Sequence, residues 1–258
     1  MITDELREYA ETPDRFAPIP EGSSVTRFDD GRICVIQGTT WAGVSAPRFR
    51  EEELDEVIAL VHELVPSDKQ QAWWIGPSAQ PANIIELLLT RGFQPAKDGP
   101  ELRAMVLTSP PPEPGPGIEV HRVETFADYT AAREVQWDAF EVPEDRREVG
   151  RPHMRNEFEE SLEHGTPVTF LGMVDGRPAA TGVAIPSDRG VFLIAGSTAT
   201  WARGRGLYRA LVRARWDYAV ERGTPALITE ALLETSYPIL TRLGFTEVCT
   251  IRRVQEKR

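Results

Sequence analysis

The sequence has few of the residues that build disulfide frameworks or metal sites. Its 258 residues include only 2 cysteines and 4 histidines. Cys34 and Cys249 stand in apolar, strand-like segments, which favours two small core residues in a reducing compartment over a disulfide. The histidines are scattered, with no pair at a metal-ligand spacing, and we therefore expect no metal site.

Long apolar runs and an excess of positive charge are also missing. No apolar segment approaches the roughly 20 residues that cross a bilayer. The acidic N-terminal segment MITDELREYAE has no apolar signal core. The formal net charge is −11, whereas general nucleic-acid binding requires a basic face. We expect a cytoplasmic protein that binds neither membranes nor nucleic acid.

One segment is unusually rich in proline and glycine. Residues 109–117 read SPPPEPGPG, with five prolines and two glycines in nine positions. Neither a helix nor a sheet strand can cross such a stretch, so it is predicted to be a semi-rigid linker. It separates two predicted domains, 1–108 and 118–258.

The most informative stretch lies in the second domain, where a strand pattern runs directly into a helix pattern. Residues 191–198 are apolar and β-branched, which predicts a buried strand, and 207–218 have apolar residues at helical spacing. Between them stands Arg203-Gly204-Arg205-Gly206. The first N–H groups of a helix lack partners, glycine permits close approach, and the helix dipole favours an anion. A pyrophosphate site fits this pattern, and a plain strand–turn–helix with solvated arginines fits it equally well.

An internal repeat links the two halves of the chain. The segments LLLTRGF and ILTRLGF end at Phe93 and Phe245, 152 residues apart. The same offset carries a predicted helix over 51–64 onto 203–216, and brings strand 72–75 close to strand 226–230. The first copy is truncated. Its counterpart of the RGRG loop, near residues 47–50, has no glycine, which predicts that the anion site has been lost there.

In residues 118–258, the predicted elements follow the order strand, two helices, strand hairpin, strand, helix, strand, helix, strand. That order, the RGRG loop and the Leu243-Gly244-Phe245 ending resemble the GNAT superfamily of acyl-CoA-dependent N-acyltransferases. Trp201 departs from the family pattern, which has Gln or Arg there. The resemblance implies an α/β (α+β) fold class of tandem GNAT-like mixed sheets flanked by helices, with a truncated N-terminal copy.

The resemblance also implies a cosubstrate, acetyl-CoA, and the residues that hold it. The backbone of Thr198 to Thr200 would bind the pantetheine arm and polarise the thioester carbonyl. The loop from Ala202 to Leu207 would cradle the pyrophosphate. The expected cofactor-binding residues are Thr198, Ala199, Thr200, Ala202, Arg203, Gly204, Arg205, Gly206 and Leu207.

The catalytic groups are less clearly marked. Many family members have an acidic tyrosine four residues before the final Gly-Phe, but Leu240 stands there. Tyr237, on nearly the same helix face, is the candidate general acid, and Glu230, at the end of the fifth strand, the candidate base. Packing of Tyr237 on the sheet and a solvated or salt-bridged Glu230 are the alternatives. His153 and Glu157, one helical turn apart, form a further candidate pair.

Pairs of aromatic residues offer two more candidate ligand contacts. Trp73 and Trp74 are adjacent on a predicted strand and so face opposite ways. This predicts one in the core and the other at an inter-domain contact. Trp137 and Phe140 lie three apart on a predicted helix, where they line either the acceptor cleft or the core.

The leading hypothesis is an N-acetyltransferase that transfers an acetyl group from acetyl-CoA to a primary amine of a small molecule or peptide by direct attack. The alternative is a catalytically inactive acyl-CoA-binding or regulatory protein. A Rossmann-type nucleotide binder is disfavoured because RGRG lacks the GxGxxG pattern. For residues 1–108 the sequence leaves open a scaffold, a lid over the acceptor cleft or a dimer surface, and hence a homodimer.

Overall fold

The chain is described by a computed structural model that covers residues 2–257. Its helices are α1 (Asp4–Glu11), α2 (Leu54–Leu64), α3 (Ile84–Thr90), α4 (Phe126–Ala139), α5 (Glu144–Gly150), α6 (Met154–His164), α7 (Leu207–Glu221) and α8 (Ser236–Arg242). Its strands are β1 (Thr26–Asp29), β2 (Cys34–Gln37), β3 (Trp41–Ser45), β4 (Gln70–Ile75), β5 (Phe93–Pro95), β6 (Glu101–Leu107), β7 (Ile118–Arg122), β8 (Val168–Val174), β9 (Arg177–Ser187), β10 (Gly190–Thr198), β11 (Leu227–Leu232) and β12 (Thr246–Glu256). The predicted mixed α/β class is confirmed.

The chain divides into two compact units. The 106–229 unit consists of Val106–Thr229 and Thr241–Thr246. The 2–105 unit consists of Ile2–Met105, Glu230–Leu240 and the chain from Glu247 onwards. This division differs from the domains 1–108 and 118–258 because β12 hydrogen-bonds to β4 and β5, so the end of the chain joins the N-terminal half.

In the 2–105 unit, β1, β2 and β3 form an antiparallel meander. Strand β3 pairs in parallel with β4, and β4 pairs antiparallel with β12. Asp29, Asp30 and Gly31 make the predicted hairpin turn, in which glycine has φ +85°. The apolar face of α2, with Leu54, Val57 and Val61 fully buried, packs into the core of this unit.

In the 106–229 unit, β7, β8, β9 and β10 are successively antiparallel, and β10 pairs in parallel with β11. The β8–β9 turn has positive φ at both Asp175 and Gly176, the geometry that favours a tight hairpin. The charged stretch before Gly165 forms α5, a 3₁₀ turn and α6, rather than one continuous helix.

The 152-residue repeat is visible in the secondary structure. Helices α3 and α8 each have seven residues and begin and end 152 positions apart. The predicted strand at 226–230 is β11, shifted to Leu227–Leu232. In the described part of the chain, no helix combines the length and apolar character that crossing a bilayer requires.

The two adjacent tryptophans of β4 face opposite ways, as the alternation of a strand predicts. Trp73 is 1% exposed and meets Phe93 edge to face, with ring centroids 5.8 Å apart. Trp74 is only partly buried. Trp73 is therefore the core residue of the pair.

We expect Trp73→Ala to lower the free energy of unfolding by about 3–5 kcal/mol, because it removes a large buried ring and leaves a cavity. Trp41→Ala, at a tryptophan that is 44% exposed, is the control and should cost much less. Chemical denaturation followed by circular dichroism measures both. Equal losses for the two variants would contradict the assignment of Trp73 to the core.

Candidate functional site

Strand β10 carries a bulge shortly before the predicted cofactor loop. Its register with β9 shifts between Ile194, which pairs with Val183, and Ser197, which pairs with Thr181. One extra residue is accommodated here, and Ala195 adopts φ +54°. A bulge turns backbone groups away from the regular ladder and re-aims neighbouring side chains. This interruption gives β10 backbone groups that a regular ladder would not present.

The loop after β10 is anchored at its start and open towards its end. The N–H of Ala199 donates to the carbonyl of Ala179 at 2.8 Å, and residues 200–202 form a 3₁₀ turn. Gly204 and Gly206 then adopt φ +78° and +89°. Apart from Gly204 itself and its two chain neighbours, no heavy atom of residues 2–257 lies within 4 Å of the position that a Cβ of Gly204 would occupy. The loop therefore exposes backbone where the sequence predicted an anion site.

The helix that follows begins without a side-chain cap. Gly206 is the N-cap residue of α7, and the first turn contains no acidic residue. Arg205 pairs with Asp175 at 2.9 Å on the surface, and Arg203 donates to the carbonyl of Thr198 at 3.4 Å. The positive end of the helix dipole, with two arginines beside it, is suited to a phosphate or diphosphate group.

The corresponding helix start in the first half of the chain has the opposite character. A carboxylate oxygen of Glu53 accepts the backbone N–H of Arg50 at 2.8 Å and its Nε–H at 3.1 Å. That backbone hydrogen bond holds the pKa of Glu53 below its usual value. Glu51 and Glu52 complete a turn of three glutamates. This end already holds a carboxylate and carries negative charge, both of which oppose binding of a second anion.

Three buried polar atoms around the β10–α7 loop have no hydrogen-bond partner among the described residues. They are Ser197 Oγ, Thr198 Oγ1 and Arg209 Nε. An unsatisfied buried polar atom costs about 1–3 kcal/mol, so a bound ligand or water would stabilise this region. Thr198 belongs to the predicted set, whereas Ser197 and Arg209 do not. Arg209, a basic residue in the first turn of α7, is a candidate that the sequence analysis did not include.

A cavity of about 360 Å³ adjoins the start of the loop. One side is α4, with Glu134 and Asp138, and the other is the loop, with Trp201. Trp201 is 46% exposed, and the guanidinium of Arg177 lies 4.4 Å from its ring centroid. Two carboxylates and an indole face this cavity, a combination suited to a ligand with polar and apolar parts.

The helix aromatics predicted near the acceptor cleft do not line this cavity. Trp137 is buried in the core of the 106–229 unit. The guanidinium carbons of Arg133 and Arg151 lie 5.3 and 5.5 Å from its ring centroid. Phe140 is 53% exposed. Core packing is therefore the reading that holds for Trp137.

Glu230 lies in the 2–105 unit, where Trp74 Nε1 donates to its Oε2 at 3.1 Å. Burial raises the pKa of Glu230 to about 8, and the nearby Asp14 carboxylate acts in the same direction, whereas Arg253 and the Trp74 hydrogen bond oppose it. Part of the side chain nevertheless remains accessible. Glu230 is thus neither fully solvated nor held in an ordinary salt bridge.

Tyr237, in the first turn of α8, is partly buried and belongs to the same unit as Glu230, whereas the loop belongs to the 106–229 unit. Leu240 is fully buried. Of the further pair, His153 ends the 3₁₀ turn before α6, and Glu157 accepts the hydroxyl of Tyr129 at 3.0 Å. Glu157 is thereby engaged in packing α6 against α4.

The thiols are poorly suited to covalent catalysis. Both cysteines are free, and Cys34 is buried. Burial raises the pKa of each thiol to about 12, and neighbouring carboxylates add to the effect. Because the thiolate is the nucleophile, neither cysteine is set up to form an acyl-enzyme.

No family model and no curated protein matches the chain. Solved structures do match most of it. A GCN5-related N-acetyltransferase from Kribbella flavida is 16% identical, with 91% of this chain and 90% of that chain covered and a TM-score of 0.67. One from Sphaerobacter thermophilus is 18% identical, with 98% and 84% covered and a TM-score of 0.56.

A tandem GNAT protein from the clavulanic acid biosynthesis pathway is 15% identical, with 93% of this chain and 84% of that chain covered and a TM-score of 0.59. At such identities the likeness establishes the fold. The chain has the fold of the GCN5-related N-acetyltransferases, which is the fold that the sequence resemblance implied.

We expect Gly206→Val to lower the affinity for coenzyme A about 10-fold or more, because a β-branched residue is strained at φ +89° and distorts the start of α7. Gly223→Val is the matched control, since Gly223 has φ +76° just beyond the other end of α7. Isothermal titration calorimetry measures both affinities. Equal losses for the two variants would show that general destabilisation, and not the loop, causes the effect.

Proposed function

We propose that this protein is an N-acetyltransferase that transfers an acetyl group from acetyl-CoA to a primary amine of a small molecule or peptide. The observation that carries the proposal is the uncapped start of α7, which follows a bulged strand and two glycines with positive φ. This arrangement suits a diphosphate at the helix and an extended thioester arm along the strand.

The backbone of residues 198–200 would bind the pantetheine arm, and that of 202–207 the diphosphate. Arg209 is added to the set because its buried Nε lacks a partner. A backbone N–H released by the β10 bulge would bind the carbonyl oxygen as it becomes an oxyanion. Backbone groups make these contacts, so the Trp201 side chain, which stands where the family pattern has Gln or Arg, does not prevent them.

The chemistry is a direct transfer. The neutral amine nitrogen attacks the thioester carbon, a C–N bond forms, and the C–S bond breaks to release the coenzyme A thiolate. The incoming amine has a pKa of about 10.4 as an ammonium and must lose a proton. Glu230 is the proposed base, since a pKa of about 8 lies close to working pH. Tyr237 is the proposed acid that protonates the thiolate, and the nitrogen of the tetrahedral intermediate returns its second proton to the resulting phenolate, which leaves a neutral amide.

The N-terminal copy of the proposed tandem would not bind coenzyme A, because Glu53 and its neighbours occupy the start of α2. We propose that it serves the C-terminal copy as a scaffold. A cytoplasmic location and a homodimer remain further proposals.

A second candidate is an acyl-CoA-binding protein without catalytic activity. The fully buried Leu240, where many family members have the acidic tyrosine, favours it. Incubation with acetyl-CoA and a panel of small and peptide amines, followed by detection of free thiol, separates the two. Amine-dependent thiol release supports the transferase, whereas tight binding of acetyl-CoA without release supports the binding protein.

From this proposal we expect one coenzyme A per chain. The uncapped α7 start accepts the diphosphate, and the glutamate-rich α2 start repels it. Calorimetric titration should give a stoichiometry of one, which Glu53→Gln leaves unchanged. A second site of similar affinity in the wild-type protein would contradict the proposed division of roles.

We expect kcat/KM to rise with pH and to level off above about 8, because Glu230 accepts a proton only in its ionised form. Glu230→Gln should lower kcat by about 100-fold or more and remove this limb. Because its pKa is raised, Glu230 also contributes to the free energy of unfolding at pH values below the pKa that it has in the unfolded chain. This contribution is lost as pH rises through about 8. If kcat/KM of Glu230→Gln still rises with pH in the same range, this pH dependence belongs to another group.

A further inference from the structure

The surroundings of Glu230 come from residues far away in the sequence. Its carboxylate accepts a hydrogen bond from Trp74, 156 positions earlier, at 3.1 Å. Trp74 lies on β4, which pairs with β12 so that Trp74 stands opposite Arg253. The first half of the chain therefore supplies the polar contact of the proposed base.

The Trp74 ring is held on more than one side. The guanidinium of Arg253 lies 4.7 Å from its ring centroid, and this guanidinium donates to the carbonyls of Asp98 and Gly99 at 2.9 and 3.3 Å. On β3, a Cβ at Gly43 would stand 3.4 Å from ring atom Cζ3. The indole N–H therefore has a fixed direction, and Arg253 is engaged with carbonyl groups and the ring.

A second carboxyl group shares this environment. Oδ2 of Asp14 lies 3.7 Å from the same Cβ position of Gly43 that the Trp74 ring approaches. Burial raises the pKa of Asp14 to about 6, while Ser45 and Arg27 oppose the shift. The charged and titratable groups that face Glu230 are thus Asp14, Arg253 and Cys249.

We propose that Trp74 is a positioning residue for Glu230, and that Asp14 and Trp74 together set the orientation and proton affinity of this carboxylate. This inference rests on the proposed function, in which Glu230 accepts the proton of the amine.

The two residues act in opposite directions. The Trp74 N–H stabilises the ionised carboxylate, so its removal raises the pKa of Glu230. The Asp14 charge destabilises it, so its removal lowers that pKa. A merely structural role of either residue would not produce paired shifts of opposite sign.

The test compares Trp74→Phe, which keeps an aromatic ring but removes the N–H, with Trp73→Phe as a matched control. Trp73 is buried on the same strand, and its Nε1 has no hydrogen-bond partner among residues 2–257. Trp74→Phe should lower kcat by about 10- to 100-fold, the value of a hydrogen bond to a charged group. The KM for acetyl-CoA should change little, and Trp73→Phe should keep kcat near that of the wild type.

A readout independent of activity is the titration of Glu230, followed by carboxyl ¹³C NMR and assigned with Glu230→Gln. The midpoint of this titration should move to higher pH in Trp74→Phe and to lower pH in Asp14→Asn. The pH range in which kcat/KM rises should shift in the same direction in each variant. Unchanged midpoints, or shifts with unaltered kcat, would overturn the inference. Wild-type protein without turnover on any amine would instead overturn the proposed function, and the midpoints would still show whether Trp74 and Asp14 control Glu230.

Discussion

The candidate site depends on one electrostatic feature, the first backbone N–H groups of α7, which no side chain of residues 2–257 caps. Several local properties preserve it. Gly206 is the N-cap residue and offers no side chain, the first turn has no carboxylate, and Gly204 leaves space beside the backbone. The bulge in β10 lies shortly before this point. Together they form a surface on which an anion and an extended chain can bind in sequence.

The contrast between α7 and α2 shows how the same element order can lose this feature. Residues 47–53, which precede α2, contain no glycine, and Glu53 accepts the N–H of Arg50. The change requires no alteration of the helix itself.

Much of the local structure around the β10–α7 loop was predictable from the sequence because it depends on short-range patterns. The glycines at 204 and 206 have left-handed φ, the apolar spacing of α7 gives its buried face, and the Asp175-Gly176 turn has the expected geometry. The contacts of Glu230 were not predictable. They require Trp74, Asp14 and Arg253, which strand pairing over more than 150 residues brings to one unit.

The helix aromatics illustrate the same limit. Spacing placed Trp137 and Phe140 on one helix but did not say which of them is buried, because that depends on α6 and the arginines packed around Trp137. Likewise, the burial of Arg209 Nε without a hydrogen-bond partner among residues 2–257 is a property of the folded first turn of α7. Local chemistry thus marked the candidate anion site, whereas the surroundings of the candidate proton-transfer groups depend on the tertiary structure.

The most direct test of the central claim is amide NMR of the full chain during titration with coenzyme A. We expect large, saturable shifts of the amide resonances of residues 203–207, whereas those of residues 50–54 should be unaffected. Binding that leaves the start of α7 unperturbed, or no binding at millimolar coenzyme A, would contradict it.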